Sequence, residues 1–386
     1  MIVKRVPIDD YCCEKIAIIS KSYEGYIDYI DISSVDNIEK KILSYQTLKV
    51  EEAPSRAKQL IQKGDILIST VRPNLNAIAM VDSLTENLMV CSTGYCVLRG
   101  KDTIDNRFLF YFCQSDYFID DMTSQATGAS YPAVNSSIVK GSLIPLYPLE
   151  QQKNISNQFD MISRLIDLRK QQLSKLDELV KSRFIELFGE CYDYELLQDS
   201  NIYINDGNYS SKYPTANEFV EEGIPFIRAS NMEMNTIIDS NMYFITKEKH
   251  AMLLKGHVKS GDVLITTRGA TIGKIACVPP RHEDSNINAQ IVLLRCPNNE
   301  YNPLYLSWYL KLDNTQAEIQ KLISGSAQPQ LPIKRLVQLN ILKPDINLQN
   351  KFATFVEQTD KLKFEVKQSL EQLETLKKSL MQQYFG

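Results

Sequence analysis

Histidine is scarce in this sequence, with three residues in 386, and none of the eight cysteines forms a Cys-x-x-Cys pair. A structural zinc site draws on such ligands at short spacing, so no metal site is expected. Cys12, Cys13, Cys91, Cys96, Cys113, Cys191, Cys277 and Cys296 are scattered and read as reduced, mostly buried thiols. Long apolar runs are also missing, which argues against a membrane-spanning helix. The first ten residues, Met1 to Asp10, lack the apolar stretch of a signal peptide. A cytoplasmic protein is therefore the expectation. Basic excess is absent too: the formal net charge is −4. Nucleic-acid binders usually carry a basic surplus, so any contact with nucleic acid must come from local patches or from a companion subunit.

Three catalytic chemistries lack their residues. No Gly-x-Gly occurs, and the only double proline, Val278-Pro279-Pro280-Arg281, has the wrong neighbours for the Asn/Asp-Pro-Pro-Tyr/Phe tetrapeptide of an adenine methyltransferase. Gly269-Ala270-Thr271-Ile272-Gly273-Lys274-Ile275 falls one residue short of a phosphate-binding loop, and Ile275 stands where that loop needs a magnesium-binding hydroxyl. For Thr267-Arg268-Gly269 a plain hairpin turn at Gly269 is the alternative to a binding role. Asp345 with Glu365 and Lys367 matches the loose acid-acid-lysine pattern of metal nucleases, but the last two flank a heptad position of a long helix, where charges normally face water.

What the chain does have is a duplicate of itself. Gly64-Asp65-Ile66-Leu67-Ile68-Ser69-Thr70 returns as Gly261-Asp262-Val263-Leu264-Ile265-Thr266-Thr267, an offset of 197 residues. The same offset carries Gly128 onto Gly325, Pro132 onto Pro329, Leu173, Leu176 and Leu179 onto Leu370, Leu373 and Leu376, and Phe188-Gly189 onto Phe385-Gly386. A period this long means duplicated domains, not a short-repeat solenoid. The length suits two domains, and 44% hydrophobic residues suit ordinary globular cores.

Each copy ends in a helix. From Leu149 to Leu187, apolar residues recur in steps of three and four at Ile155, Phe159, Ile162, Ile166, Leu173, Leu176, Val180, Phe184 and Leu187, with Arg169 breaking the seam once. The second copy has Phe352, Val356, Thr359, Val366, Leu370, Leu373, Leu376 and Leu380. Each helix is expected to pack antiparallel on the other. A rod of roughly 39 residues is about 58 Å long, adequate for spanning DNA half-sites spaced by about 34–36 Å. The globular parts read as mixed α/β. Strands are expected at 65–71, 96–98, 262–267, 274–278 and 291–294, and helices at 107–118 and 303–312.

The ordered set of segments resembles a known family. Tyr29-Ile30-Asp31-Ile32-Ser33-Ser34, Glu52-Ala53-Pro54-Ser55-Arg56-Ala57 and Gly64 through Asn74 look like a target-recognition domain of type I restriction-modification specificity subunits. Ile224-Pro225-Phe226-Ile227-Arg228 and Gly261 through Lys274 look like a second. Each is followed by a loop holding Gly and Pro, then by a helix start: Ile144 through Gln152 in the first copy, Leu342 through Asn347 in the second, which lacks the Glu-Gln pair. The resemblance covers the chain in the family's order.

It implies an α+β fold: two similar target-recognition domains in pseudo-two-fold arrangement, separated by two long antiparallel coiled-coil helices. The expected divisions are 1–147, 148–189, 190–343 and 344–386. It also implies a non-catalytic subunit that reads a bipartite double-stranded DNA target, one half per domain. Two modification (methyltransferase) subunits would dock on the helices, with restriction (motor-nuclease) subunits joining them. S-adenosylmethionine, ATP and magnesium are expected on those partners, with no cofactor on this chain. Phosphate and base contacts need Arg, Lys, Asn, Gln or hydroxyls in loops. The candidates are Arg56, Arg72, Asn74, Asn76, Thr93, Tyr95, Ser130 and Tyr131 in the first domain. In the second they are Arg268, Lys274, Asn286, Asn288, Gln290, Gln328, Gln330 and Lys334, with Arg335 beside them. The competing expectation is a coiled-coil protein-interaction scaffold without DNA specificity.

Overall fold

The chain is α+β, with two forty-residue helices, Leu149–Phe188 and Ile346–Phe385, each following a set of short strands and helices. The computed structural model describes residues 3–13, 15–209, 211–233, 235–269, 271–325 and 328–386. Met1, Ile2, Ala270 of the glycine-rich segment, and Ser326-Ala327 of the second Gly-to-Pro loop lie outside the described residues. Two compact units emerge: residues 1–172 with 366–386, and residues 173–365. Each takes the first part of one long helix or the remainder of it, together with a stretch of the other.

In the first unit the strand Tyr26–Ile30 lies between Gln46–Lys49, antiparallel, and Leu88–Ser92, parallel, with Ala57–Leu60 beyond. A second, antiparallel sheet sets Ile66–Ser69 between Tyr95–Leu98 and Ile78–Met80. Arg5–Pro7 pairs with Leu143–Pro145. The second unit repeats the plan. Ile224–Ile227 lies between antiparallel Tyr243–Ile245 and parallel Asn286–Ile287. Val263–Thr266 lies between Ile291–Arg295 and Ile275–Cys277, and Tyr194–Leu196 pairs with Asn340–Leu342. The apolar runs of Ile66–Ser69 and Val263–Thr266 are buried on both faces, as expected of unbroken Val/Ile/Leu runs in place of alternation.

The repeat extends to individual hydrogen bonds. Gln152 accepts from the Asp105 N–H at 2.9 Å and donates to the Tyr147 carbonyl at 2.8 Å. Gln349 does the same with Asn302 at 2.9 Å and Pro344 at 2.8 Å. Both glutamines are buried, where an unpaired backbone group would be costly. The Glu-Gln pair missing from the second copy is therefore not the working part of that motif. The glutamine one residue later is, and both copies keep it.

The heptad pattern becomes real packing. In the first unit Phe159 stacks on Phe385 with ring centroids 5.9 Å apart, and Ile155, Ile162, Ile166 and Val366 are buried. Arg169, the break in the seam, is satisfied by Ser369 at 3.2 Å and Gln172 at 2.9 Å. In the second unit Phe352 packs edge-on against Phe184 and Phe188 at 5.3 and 5.7 Å, Val356 is buried, and Lys363 pairs with Asp177 at 2.6 Å. Within each unit, residues that rise along one helix meet residues that fall along the other, so the packing is antiparallel. Each fully buried phenylalanine stabilises by about 1.5–3 kcal/mol. Leu173, Leu176, Leu370 and Leu373 are half-buried. Among the described residues no helix is long and apolar enough to cross a membrane.

Candidate nucleic-acid interface

The strand Ile66–Ser69 runs out into Thr70, whose N–H (2.9 Å) and hydroxyl (2.8 Å) both donate to the Gly94 carbonyl. Val134 donates back to the Thr70 carbonyl at 2.9 Å, Arg72 donates to Pro132 at 2.7 Å, and Thr93 donates to Arg56 at 2.9 Å. Loops far apart in sequence are thereby closed into one rim that carries Arg56, Arg72, Thr93, Ser130 and Tyr131, all exposed. The Arg72 guanidinium lies 4.9 Å from the centre of the Tyr131 ring, and Tyr131 is 69% exposed. An exposed aromatic stacked with an arginine presents a flat face with hydrogen-bond donors, the equipment for phosphates and base edges. Arg72 holds this place in a left-handed backbone conformation, φ +50°, which disfavours non-glycine residues.

The second unit builds the same rim. Thr267 donates through its N–H (2.7 Å) and hydroxyl (3.0 Å) to the Gln290 carbonyl, and Leu331 donates to Thr267 at 2.9 Å. Ser324 and Gln330 exchange two hydrogen bonds of 2.9 Å, as Thr127 and Ala133 do at 3.0 and 2.9 Å. Arg268 bridges to Gln330 and sits 4.9 Å from the Tyr209 ring. Burial raises the Tyr209 phenol above its ordinary range while Arg268 pulls it back, so the hydroxyl stays a neutral donor at physiological pH.

The two rims share a frame but not their side chains. The 197-residue offset sets Val71 against Arg268 and Arg72 against Gly269. Both Arg72 and Gly269 have positive φ, +50° and +90°. The tyrosine beside each arginine comes from a different loop in each unit.

The remaining candidates divide. Asn74, Gln290, Gln328, Gln330, Lys334 and Arg335 are exposed, and Lys274 is half-buried in the hairpin between Val263–Thr266 and Ile275–Cys277. A strand starts directly after Lys274, where a phosphate-binding loop would start a helix, so the segment does not lead into the structure such a loop requires. Glu365 sits about 28 Å along the helix from its start beside Asp345, too far to share a metal ion with it. Asn76, Tyr95, Asn286 and Asn288 are buried. Asn76 donates to the Cys113 carbonyl at 3.1 Å, and the Tyr95 hydroxyl donates to the Asp31 carbonyl at 2.8 Å. The Asn286 Oδ1 meets His250, and Asn288 holds Gln290 through its Oδ1, which accepts the Gln290 N–H at 3.2 Å. These four build the support behind the rims. Sequence reasoning missed Tyr209, and also Arg228, which stacks 3.4 Å from the Tyr243 ring centre. No sequence spacing announces either pair, because each joins separate loops.

A family model described as the type I restriction modification DNA specificity domain matches residues 14–178 and again 204–375. The type I restriction enzyme MjaVIII specificity subunit of Methanocaldococcus jannaschii is 22% identical over 384 residues, spanning 94% of this chain and 86% of the relative. The EcoBI specificity subunit of Escherichia coli is 22% identical over 324 residues, spanning 75% of this chain and 67% of the relative. The fold is shared with the S subunit of a type I restriction-modification system from M. genitalium, at TM-score 0.62 and 15% identity, with 99% of this chain and 96% of that one covered. It is shared equally, at TM-score 0.62 and 24% identity over 99% and 97%, with a chain solved in work on complex assembly and conformational transition of the type I R-M system. A scaffold without DNA specificity finds no support in these likenesses. With one domain model matched twice over most of its length, the chain belongs to the type I restriction-modification DNA specificity family.

Proposed function

We propose that this chain is the DNA-reading subunit of a type I restriction-modification complex, each unit reading one half of a bipartite double-stranded target through its loop rim. The observation that carries this reading is the doubled rim. The backbone hydrogen bonds around Thr70 are repeated around Thr267, while the exposed side chains differ: Arg56, Arg72 and Tyr131 against Arg268, Gln290 and Tyr209. A repeated frame with different side chains suits a reader of two unlike half-sites, because phosphate contacts position while base-edge contacts specify.

The long helices dock two modification subunits, and restriction subunits complete the assembly. Methyl transfer from S-adenosylmethionine, and the ATP- and magnesium-dependent steps, reside on those partners. This chain contributes no catalytic residue and works in the cytoplasm.

The test uses the full chain assembled with its modification subunits and a pool of random duplexes. Selection should enrich a split sequence, and affinity should fall steeply as salt rises. Replacing residues 1–145 with those of a relative should change one half of the selected sequence. No enrichment, or a change in both halves, defeats the proposal.

A further inference from the structure

Three side chains converge in the second unit: His250, on the short helix Lys247–Met252, with His257 and Asp284. The Asp284 Oδ1 lies 3.4 Å from His250 Nε2 and 4.0 Å from His257 Nδ1, and the three atoms all fall within 4.8 Å of one another. The two rings meet edge to face with centroids 4.4 Å apart.

The far side of each ring decides what the near side can be. His257 Nε2 lies 2.6 Å from the Leu253 carbonyl. A carbonyl only accepts, so that nitrogen carries the proton. His250 Nδ1 faces the Asn286 Oδ1 in the same way. In the neutral form, with one N–H each, both rings turn a nitrogen lone pair toward the Asp284 carboxylate oxygen. Two lone pairs and an anion facing one another repel unless a cation lies among them. Metal-bound histidines characteristically give their other N–H to a carbonyl or carboxylate oxygen, which fixes the tautomer and the ring orientation. Both rings have that arrangement.

The backbone holds the cluster together independently. Arg295 donates to the His257 carbonyl at 3.0 Å while pairing with buried Asp262. Asp284 and Val258 are tied by the Asp284 N–H to Val258 carbonyl bond at 2.9 Å. Asp284 keeps a left-handed conformation, φ +61°.

We propose that His250 Nε2, His257 Nδ1 and Asp284 Oδ1 bind a divalent transition-metal ion of zinc type, with water completing the set. Imidazole with one carboxylate suits zinc and not magnesium or calcium, which require mostly oxygen ligands. Tetrahedral zinc with bonds of about 2.0–2.1 Å places neighbouring ligand atoms about 3.3 Å apart. The Asp284 separations of 3.4 and 4.0 Å need a contraction of less than an ångström, and the two histidine nitrogens, within 4.8 Å of each other, need to close by at most about 1.5 Å. The ion clips the segment holding His250 and His257 to the one that begins at Asp284 and runs on through Asn288 to Gln290 at the rim. Its role is positioning, and it stands whether or not the rim reads DNA.

The experiment takes the full chain, strips it with a chelator and titrates it with zinc and with cobalt. Asp284→Asn is the principal variant: the side chain is 73% exposed in its ion pairs and asparagine tolerates left-handed backbone, so folding is preserved. His257→Gln is the second. The expected result is one zinc per wild-type chain, a zinc-dependent rise in melting temperature, and visible cobalt bands without thiolate charge-transfer absorption. Asp284→Asn should weaken binding at least about tenfold, since losing even an outer-shell partner costs that much. No bound metal, binding indifferent to Asp284→Asn, or a cobalt–thiolate band overturns the proposal and leaves a proton as the shared cation.

Discussion

Asp65 accepts two hydrogen bonds of 2.7 Å from the Arg99 guanidinium while only 1% of its side chain is exposed. It also accepts the Gln62 N–H at 2.8 Å, closing the turn that leads into the strand Ile66–Ser69 and so to the rim. Asp262 and Arg295 repeat the arrangement, with Lys259 in the turn. Removing one partner of such a pair leaves a charge without its counter-ion, at a cost of about 3–5 kcal/mol when fully buried. Each guanidinium is partly exposed, so the lower end applies. Asp65→Asn and Asp262→Asn should each destabilise by about 3 kcal/mol in denaturant unfolding. Unchanged midpoints would show that the pairs do not hold these turns.

Gly128 and Gly325 occupy matching places, with φ of +104° and +90°. A Cβ at Gly128 would stand 2.8 Å from the Tyr131 carbonyl oxygen, and one at Gly325 would stand 2.8 Å from that of Gln328. Backbone cannot yield as a flexible side chain would, and left-handed geometry adds about 1–2 kcal/mol for a residue other than glycine. Gly128→Ala and Gly325→Ala should lower thermal stability modestly and weaken DNA binding. Variants that melt lower yet bind DNA like the wild type would separate these turns from the reading surface.

Much of this architecture was legible in the sequence because it repeats and because helical periodicity is a strong signal. The first long helix was expected at Leu149–Leu187 and runs Leu149–Phe188. The expected helix at 107–118 is two helices, Asn106–Phe112 and Asp116–Gln125. Apolar spacing runs straight across the break, where the Ser115 hydroxyl donates to the Phe112 carbonyl and caps the second helix by accepting the Phe118 N–H. The site was less legible. Asn76, Tyr95, Asn286 and Asn288 are polar residues in loop-rich segments, and only folding shows that they face inward. The pairing of Arg268 with Tyr209 joins positions almost sixty residues apart, which no local pattern encodes.

Burial pushes the Lys311 ammonium down to about 8; Asp360 and Asp177 oppose the shift and Lys363 adds to it. The side chain lies 5.4 Å from the Trp308 ring centre. Between pH 8 and about 10.4, the usual lysine value, the unfolded chain holds a proton that the folded chain has released. Stability contributed by this group therefore rises with pH across that window and is lowest below it. Lys311→Met should raise stability at neutral pH by about 1 kcal/mol, allowing for partial solvent access. It should also flatten the slope between pH 8 and 10.4, as measured by unfolding midpoints of the two proteins side by side. A parallel pair of curves would mean that Lys311 keeps its charge in the folded state.

Arg72 and Arg268 each stand 4.9 Å from a tyrosine ring but occupy different steps of the repeated frame. If each arginine faces its own half-site, their losses must be confined accordingly. Arg72→Ala should relax base preference in one half of the target and leave the other half untouched, and Arg268→Ala should do the converse. A base-directed arginine contributes about 1–3 kcal/mol of discrimination at its position. One that serves a phosphate instead weakens all sequences alike and lowers the salt slope by about 1. Selection from random duplexes at two salt concentrations separates these cases for each arginine. Equal relaxation of both halves by either variant would contradict the division of reading between the units, because a rim that touches only one half-site has no means of altering the other.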